Sequence, residues 1–390
     1  MYKGDFQLEI YFDNSATTKP YKEVCDVVYD TMLNTYGNPS SLHRLGKNAE
    51  DKMTEARRTI AKSINANENE IYFTSGGTES DNIAILGFAR ANKRLGNRII
   101  TTKAEHKAVT EPFSILAEEG FEVCYADLNA DGSVNLDSVK SLLNDKTILV
   151  SIMWVNNETG AITDVEGLVK LVRENAPNAT LHIDAVQAYG KVKIDVKKVK
   201  VDMLSLSSHK IHGPNGVGAL YVADKTKISP VHYGGGQEKS LRSGTENLAG
   251  ICGFAKACEI KFQNFEKDKE SIGVLKKYFV KRLAEIDDVR INSSENSVEN
   301  ILNVSFVGVK SEVLLHVLES KGIYVSTGSA CTSKKSKFSY VLKEMNLKND
   351  IIDSAIRFSF SYENTVEDID YTVDVLKKEI PMLRKIMGKR

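Results

Sequence analysis

Between residues 70 and 222, short β-rich runs alternate with longer amphipathic stretches, and this alternation narrows the folds open to the chain more than any other feature. Strands are expected at Ile71–Thr74, Arg98–Thr102, 121–126, 147–154, Thr180–Asp184, 202–206 and Gly218–Val222. Helical patterns fill several of the gaps, for example 79–91 and 165–174. Strand–helix alternation implies an α/β fold whose mostly parallel sheet is covered on both faces. The most apolar run, 147–155, is far too short to span a bilayer and reads as a buried strand.

After Thr245 the texture changes. Residues 246–286 read as mostly helical, with a break near Asn264. The remainder mixes strands (Ile301–Phe306, 323–326, 355–360) with amphipathic helices (311–320, Val366–Met387), which suggests a smaller α+β domain.

Lys plus Arg and Asp plus Glu both number 52, so no net charge draws the chain to nucleic acid or to a membrane. The lysine-rich patches at 197–200 and 334–337 read as solvated surface. The first ten residues lack the apolar core of a signal peptide. Five cysteines, an odd number without framework spacing, argue for a reducing compartment, so the cytoplasm is the expected location.

Four segments carry chemistry. TSGGTESDN at 74–82 follows a strand and opens a helix; its glycines permit a tight turn, and Thr78 and Asp81 match a capping box. A helix start of this kind is either a phosphate site or a plain strand–helix connection. Lys210 lies between a strand and the Gly/Pro-rich turn after it, placed either to form a Schiff base with a carbonyl cofactor or to point into solvent. Ser207 and His209 beside it suit a phosphate. Asp184 ends an apolar strand, where a carboxylate needs a partner: a protonated pyridine nitrogen, or the start of the next helix. Cys331 has only small neighbours followed by lysines, which suits a reactive thiolate, and the segment 326–337 is expected to be mobile. Cys25, Cys124, Cys252 and Cys258 have apolar neighbours and read as small buried hydrophobes.

Together with YFDNSATT at 11–18, GNP at 37–39, EH at 105–106, NNETG at 156–160, HIDAVQ at 182–187, SSHK at 207–210, RSGT at 242–245, GSACTS at 328–333 and IRFS at 356–359, these segments resemble the cysteine desulfurases of the NifS/IscS type, in order and over nearly the whole chain. The resemblance implies a fold-type-I pyridoxal-phosphate-dependent transferase with a large domain at 15–260. A smaller domain takes in 1–14 and 261–390. By motif, Lys210 is the Schiff-base lysine, Asp184 pairs with the pyridine nitrogen, Gln187 contacts the ring hydroxyl and His106 stacks on the ring. Gly77, Thr78, Ser207 and His209 surround the phosphate, joined by Thr245 from the other subunit of a homodimer. Asn38, Asn157 and Arg357 hold the substrate, with Asn157 also beside the cofactor. Cys331 is the nucleophile, in a long small-residue loop like that of the IscS-like subgroup. No metal site is implied. The sequence departs from the pattern at Gly77, where Ala is frequent, at Ser208, where Gly is, and at Trp154.

The function expected from the resemblance is conversion of L-cysteine to L-alanine with a persulfide left on Cys331. The sulfur would pass to an acceptor protein, an Fe–S scaffold or a tRNA-thiolation enzyme. A pyridoxal-phosphate aminotransferase or lyase, a selenocysteine lyase and a sulfur-relay binding protein are the rival readings. Only the first of these has no use for Cys331.

Overall fold

The computed structural model describes residues 9–328 and 339–388. Its strands are β1 (Ile10–Tyr11), β2 (Ile71–Thr74), β3 (Arg98–Thr102), β4 (Glu122–Ala126), β5 (Thr147–Met153), β6 (Thr180–Asp184), β7 (Met203–Ser207), β8 (Gly218–Val222), β9 (Val289–Ile291), β10 (Ile301–Phe306), β11 (Ile323–Tyr324) and β12 (Ala355–Ser359). A seven-stranded sheet runs in the order β2-β8-β7-β6-β5-β3-β4. Only β8 is antiparallel to its neighbours; the others run in one direction. β5, β7 and β8 are buried at every position, because helices cover both faces of the sheet. One face packs against Arg44–Ser63, Val165–Asn175 and Leu248–Gln263, the other against Phe88–Asn92 and Lys107–Glu118.

The helical stretch 246–286 resolves into Leu248–Gln263 and Phe265–Leu283, broken at Asn264. A second apolar core surrounds the antiparallel sheet β12-β10-β9 and the helices Phe265–Leu283, Ser311–Glu319 and Val366–Met387. Ile10 and Phe12 also belong to it, because β1 pairs in parallel with β11. Phe12 meets Phe358 and Phe360 edge-on, with ring centroids 6.1 and 5.3 Å away. The chain then crosses to the larger sheet through Asp13–Thr18, which brings residues 13–16 between the two cores.

Two expectations are corrected. Asp81 does not close a capping box: the helix Gly77–Asn82 starts from Gly76 at φ +150°, a conformation open to glycine, and Asp81 turns inward and is buried. Of the four cysteines read as buried, only Cys258 is; Cys124 and Cys252 are half-buried and Cys25 is exposed on the helix Lys22–Asn34. Apolar neighbours in sequence do not decide which face of a helix a residue occupies. Lys197, Lys198 and Lys200 are exposed as expected, and Trp154 is buried in the core of the large sheet. No helix among the described residues is long and apolar enough to cross a membrane.

Candidate active site

Ligand sites in open α/β sheets form beyond the carboxyl ends of the strands. Here β2, β5, β6 and β7 end at Thr74, Met153, Asp184 and Ser207, around a cavity of about 310 Å³. Its wall includes Gly77, Thr78, His106, Asn157, Asp184, Gln187, Ser207, His209, Lys210 and Arg357. Ser326, Gly328 and Tyr340 also line it. Asn38 and Thr245 are exposed and are not part of this wall; the Asn38 side chain caps its own turn, accepting from Ser40 N–H at 2.9 Å. Cys331 lies outside the described residues, as do residues 329–337 of the segment 326–337 expected to be mobile; its first residue, Ser326, is buried and exchanges backbone hydrogen bonds with Arg357.

Lys210 follows β7 in a short 3₁₀ turn, and its Nζ donates to the carbonyls of Ser15 (2.5 Å) and Ala16 (2.8 Å). Asp184 Oδ1 accepts from Val186 N–H at 2.9 Å. Its carboxyl is held above the usual range by burial, opposed by that N–H and by His106 and Lys210. His106 Nδ1 accepts from Ala108 N–H at 3.1 Å, so the neutral ring carries its proton on Nε2. Burial, with Lys210 and Lys107 nearby, lowers the His106 pKa, while Asp184 opposes.

Behind Asp184 sits a buried polar layer that sequence reasoning did not single out. His182 on the same strand bridges Ser151 Oγ (2.8 Å) and Ser205 Oγ (2.9 Å), and burial pushes its pKa down to about 3, so the ring is neutral. Asp81 Oδ1 lies 3.5 Å from His182 Nε2. Burial, reinforced by Asp184, holds Asp81 well above the carboxylate range. Glu105 is raised to about 8 by burial, with Asp184 again contributing. Asp184 thus faces the cavity with Asp81 and Glu105 behind it, and a cationic heterocycle against Asp184 would favour the ionised form of that carboxyl.

Arg357, on β12, is the contribution of the smaller core. Its Nη2 pairs with Asp13 at 2.8 Å, its Nη1 donates to Asn157 O at 2.9 Å, and its buried Nε has no hydrogen-bond partner among the described residues. Asp13 lay within a quoted motif without a role; the structure makes it the arginine's counter-ion. Glu158, from the turn after β5, is also buried, and its Oε2 accepts from Ser339 Oγ at 2.5 Å. A Cβ on Gly328 would stand 2.6 Å from that same oxygen. One carboxyl therefore bonds to one residue that flanks 329–338 and fills the space a side chain on the other would need.

Burial pushes Glu158 up to about 7, against the lowering effects of the Ser339 hydroxyl and Arg357. A raised carboxyl pKa means that the folded chain holds an extra proton. The stability this confers is complete below about pH 4.5 and is lost as pH rises through 7, by about 3 kcal/mol. Glu158→Gln, which mimics the protonated form, should gain on wild type between pH 5 and 8 in urea melts. A stability difference that does not change with pH would show that Glu158 stays ionised in the folded chain.

The residues fit pyridoxal phosphate. Ser207 Oγ is buried without a hydrogen-bond partner among the described residues, beside Thr78, His209 and the amides that open the helix at Gly77. The backbone can approach closely there because Gly77 has no side chain: a Cβ would lie 2.5 Å from Val186 Cγ2. The departure at Gly77 is thus matched by a branched Val186. Gly77→Ala should destabilise the protein by about 1–3 kcal/mol, as overpacking against a stiff β-branched side chain does. Adding Val186→Ala should restore most of it in a double-mutant cycle; a fully additive cycle would disprove the pairing.

The model of the family "Aminotransferase class-V" matches residues 10–372. The cysteine desulfurase IscS of Clostridium botulinum is 41% identical over 382 residues, covering 97% of this chain and 96% of that protein. A solved structure titled NifS-like protein superposes with a TM-score of 0.92 at 36% identity, over 96% of this chain and all of that one. Another, titled SspA in complex with cysteine, gives 0.81 at 32% identity, over 91% of this chain and 100% of that one. With its match to the family model and its identity to IscS both running over nearly the full length, this chain belongs to the class-V aminotransferases and, within them, to the cysteine desulfurases of the NifS/IscS type.

Proposed function

We propose that this chain removes sulfur from L-cysteine, releases L-alanine and leaves a persulfide on Cys331. The observation that carries the reading is the meeting, in one cavity, of Lys210 and Asp184 from the large sheet with Arg357 from the small one, in a wall that includes Gly328 and Tyr340. Cys331 is three residues from Gly328, within about 11 Å of fully extended chain. A similar structure carries cysteine in its title, which supports the substrate.

Pyridoxal phosphate, when bound, supplies an electron sink that acidifies the substrate Cα–H. Gly77, Thr78, Ser207 and His209 would hold its phosphate, Asp184 would pair with its ring nitrogen and Gln187 with its ring hydroxyl, and His106 and Asn157 would contact the ring. Lys210 anchors it and moves the proton at Cα. Arg357 takes the substrate carboxylate, with Asn157 and, from its exposed loop, Asn38. The Cys331 thiolate attacks the substrate sulfur: an S–S bond forms, the C–S bond breaks with its electron pair left on carbon, and protonation there gives alanine.

The same reading includes a homodimer. Tyr29, Met32, Leu33 and Tyr36 on and after the helix Lys22–Asn34, and Leu42 beyond it, are all more than half exposed, an apolar surface that a second copy would cover. Thr245, exposed in this chain, would then reach the other subunit's phosphate. The division into 15–260 and 1–14 plus 261–390 follows the two cores and stands as part of this proposal. A sulfur-acceptor protein, an Fe–S scaffold or a tRNA-thiolation enzyme, completes the cycle. A cytoplasmic setting accords with the free thiols of Cys25, Cys124, Cys252 and Cys258. The deciding assay is alanine release from L-cysteine with and without a thiol acceptor. Alanine production that is independent of Cys331 would favour a simple lyase.

A further inference from the structure

A lysine is buried beneath the site with no ion-pairing carboxylate among the described residues. Lys191 is 7% exposed, on the turn that follows β6. The charged groups around it are cations: Lys210, Lys261 and Arg357. Lys261 is itself paired with Asp268 at 2.9 Å. Among the described residues, the one hydrogen-bond acceptor of Lys191 Nζ is Gln187 Oε1, at 2.5 Å. A buried amine costs free energy, and more so among like charges, so an ion-pairing role does not account for it.

The partner does account for it. Gln187 and Lys191 are four residues apart on the turn after β6, whose last part is closed by Lys191 N–H and Val192 N–H to the Ala188 carbonyl. Gln187 Nε2 donates one N–H to the Ser15 carbonyl at 2.8 Å. A carbonyl can only accept and a lysine offers N–H donors, so the two contacts fix the same orientation of the carboxamide. Its oxygen faces inward to Lys191, and its second N–H is left to the cavity that Gln187 lines. Without Lys191, the amide oxygen would be unsatisfied in the interior and a flipped amide would present an acceptor to the cavity.

We propose that Lys191 is a positioning residue that locks the Gln187 carboxamide so that an N–H faces the ring hydroxyl of pyridoxal phosphate. This deepens the reading given under Proposed function and rests on it. The test separates the two. Borohydride reduction of the reconstituted wild-type chain and peptide mapping must first place the cofactor on Lys210; a label elsewhere overturns the site and this inference together.

Apparent affinities of the cofactor-free chain are then measured by absorbance for pyridoxal phosphate and for 3-deoxypyridoxal phosphate, which lacks the ring hydroxyl. Lys191→Met should bind pyridoxal phosphate about tenfold more weakly than wild type, the scale of one hydrogen bond in a dry site. With the deoxy analogue the two proteins should agree within about twofold, because nothing remains for the oriented N–H to meet. Equal losses for both ligands would assign Lys191 to general packing and overturn the proposal. Lys191→Gln retains an N–H donor on a shorter side chain and serves as the second variant if the apolar one does not fold. Its loss should be smaller than tenfold and confined to pyridoxal phosphate; a loss shared equally by the analogue overturns the proposal as well.

Discussion

Changing Lys210 to alanine should lower alanine production from L-cysteine by about 10⁴-fold or more, the upper range for a group that moves a proton in the rate-limiting step. The structure leaves little to substitute for it. Lys210 Nζ is aimed into the cavity by the Ser15 and Ala16 carbonyls. Lys191 lies deeper, turned to Gln187. His106 has a lowered pKa and a ring pinned by Ala108 N–H. The variant should still take up pyridoxal phosphate through Ser207, Thr78 and His209, but reversibly, and borohydride should leave no reduced cofactor on the chain. Retention of more than a few per cent of activity would mean that another base works at Cα.

The second large effect is expected at Cys331. Cys331→Ser should bind cofactor and L-cysteine as wild type does, yet lose alanine release by at least about 10³-fold, as removal of a covalent nucleophile does. A serine hydroxyl is a far weaker nucleophile toward sulfur at neutral pH and cannot hold a persulfide. Mass spectrometry of wild type after turnover without an acceptor should show one added sulfur on the peptide bearing Cys331. The exposed Cys25 is the internal control, since it is a free thiol on the helix Lys22–Asn34, whose residues are absent from the cavity wall. Near-normal alanine release from the serine variant, or sulfur found on Cys25 instead, would remove Cys331 from the reaction.

Much of this was legible in the chain because period-2 and period-3.6 patterns are strong over long elements. β2, β3, β6, β8 and β10 begin and end where the patterning places them, and the helix Val366–Met387 does too. What was not legible depends on contacts distant in sequence. Nothing local shows that β8 runs against its neighbours, or that β1 pairs with β11 more than three hundred residues away. The helix opened at Gly77 passes through a π turn at Ile83–Gly87, which the apolar pattern does not distinguish from regular helix. Asp81 shows the same limit at the site. An acid three residues after a threonine fits a capping box equally well whether it caps or is buried, and only the neighbouring β6 and β7, with His182 and Ser205, decide. Lys191 was missed for the opposite reason. A lysine carries no sign of burial in its own sequence, although its spacing of four from Gln187 was there to be read.

Glu158 gives this architecture an adjustable dimension. Because one buried carboxyl bonds to Ser339 and occupies the space a side chain at position 328 would need, the two residues that flank 329–338 are set by the fold. In the sequence, the ten residues 329–338 lie between them. Closure entropy grows slowly, by about 0.6 kcal/mol for each doubling of length, while each added residue extends the span by up to about 3.5 Å. Insertions or deletions between these two residues would therefore change the chain length available to Cys331 without touching Lys210, Asp184 or Arg357.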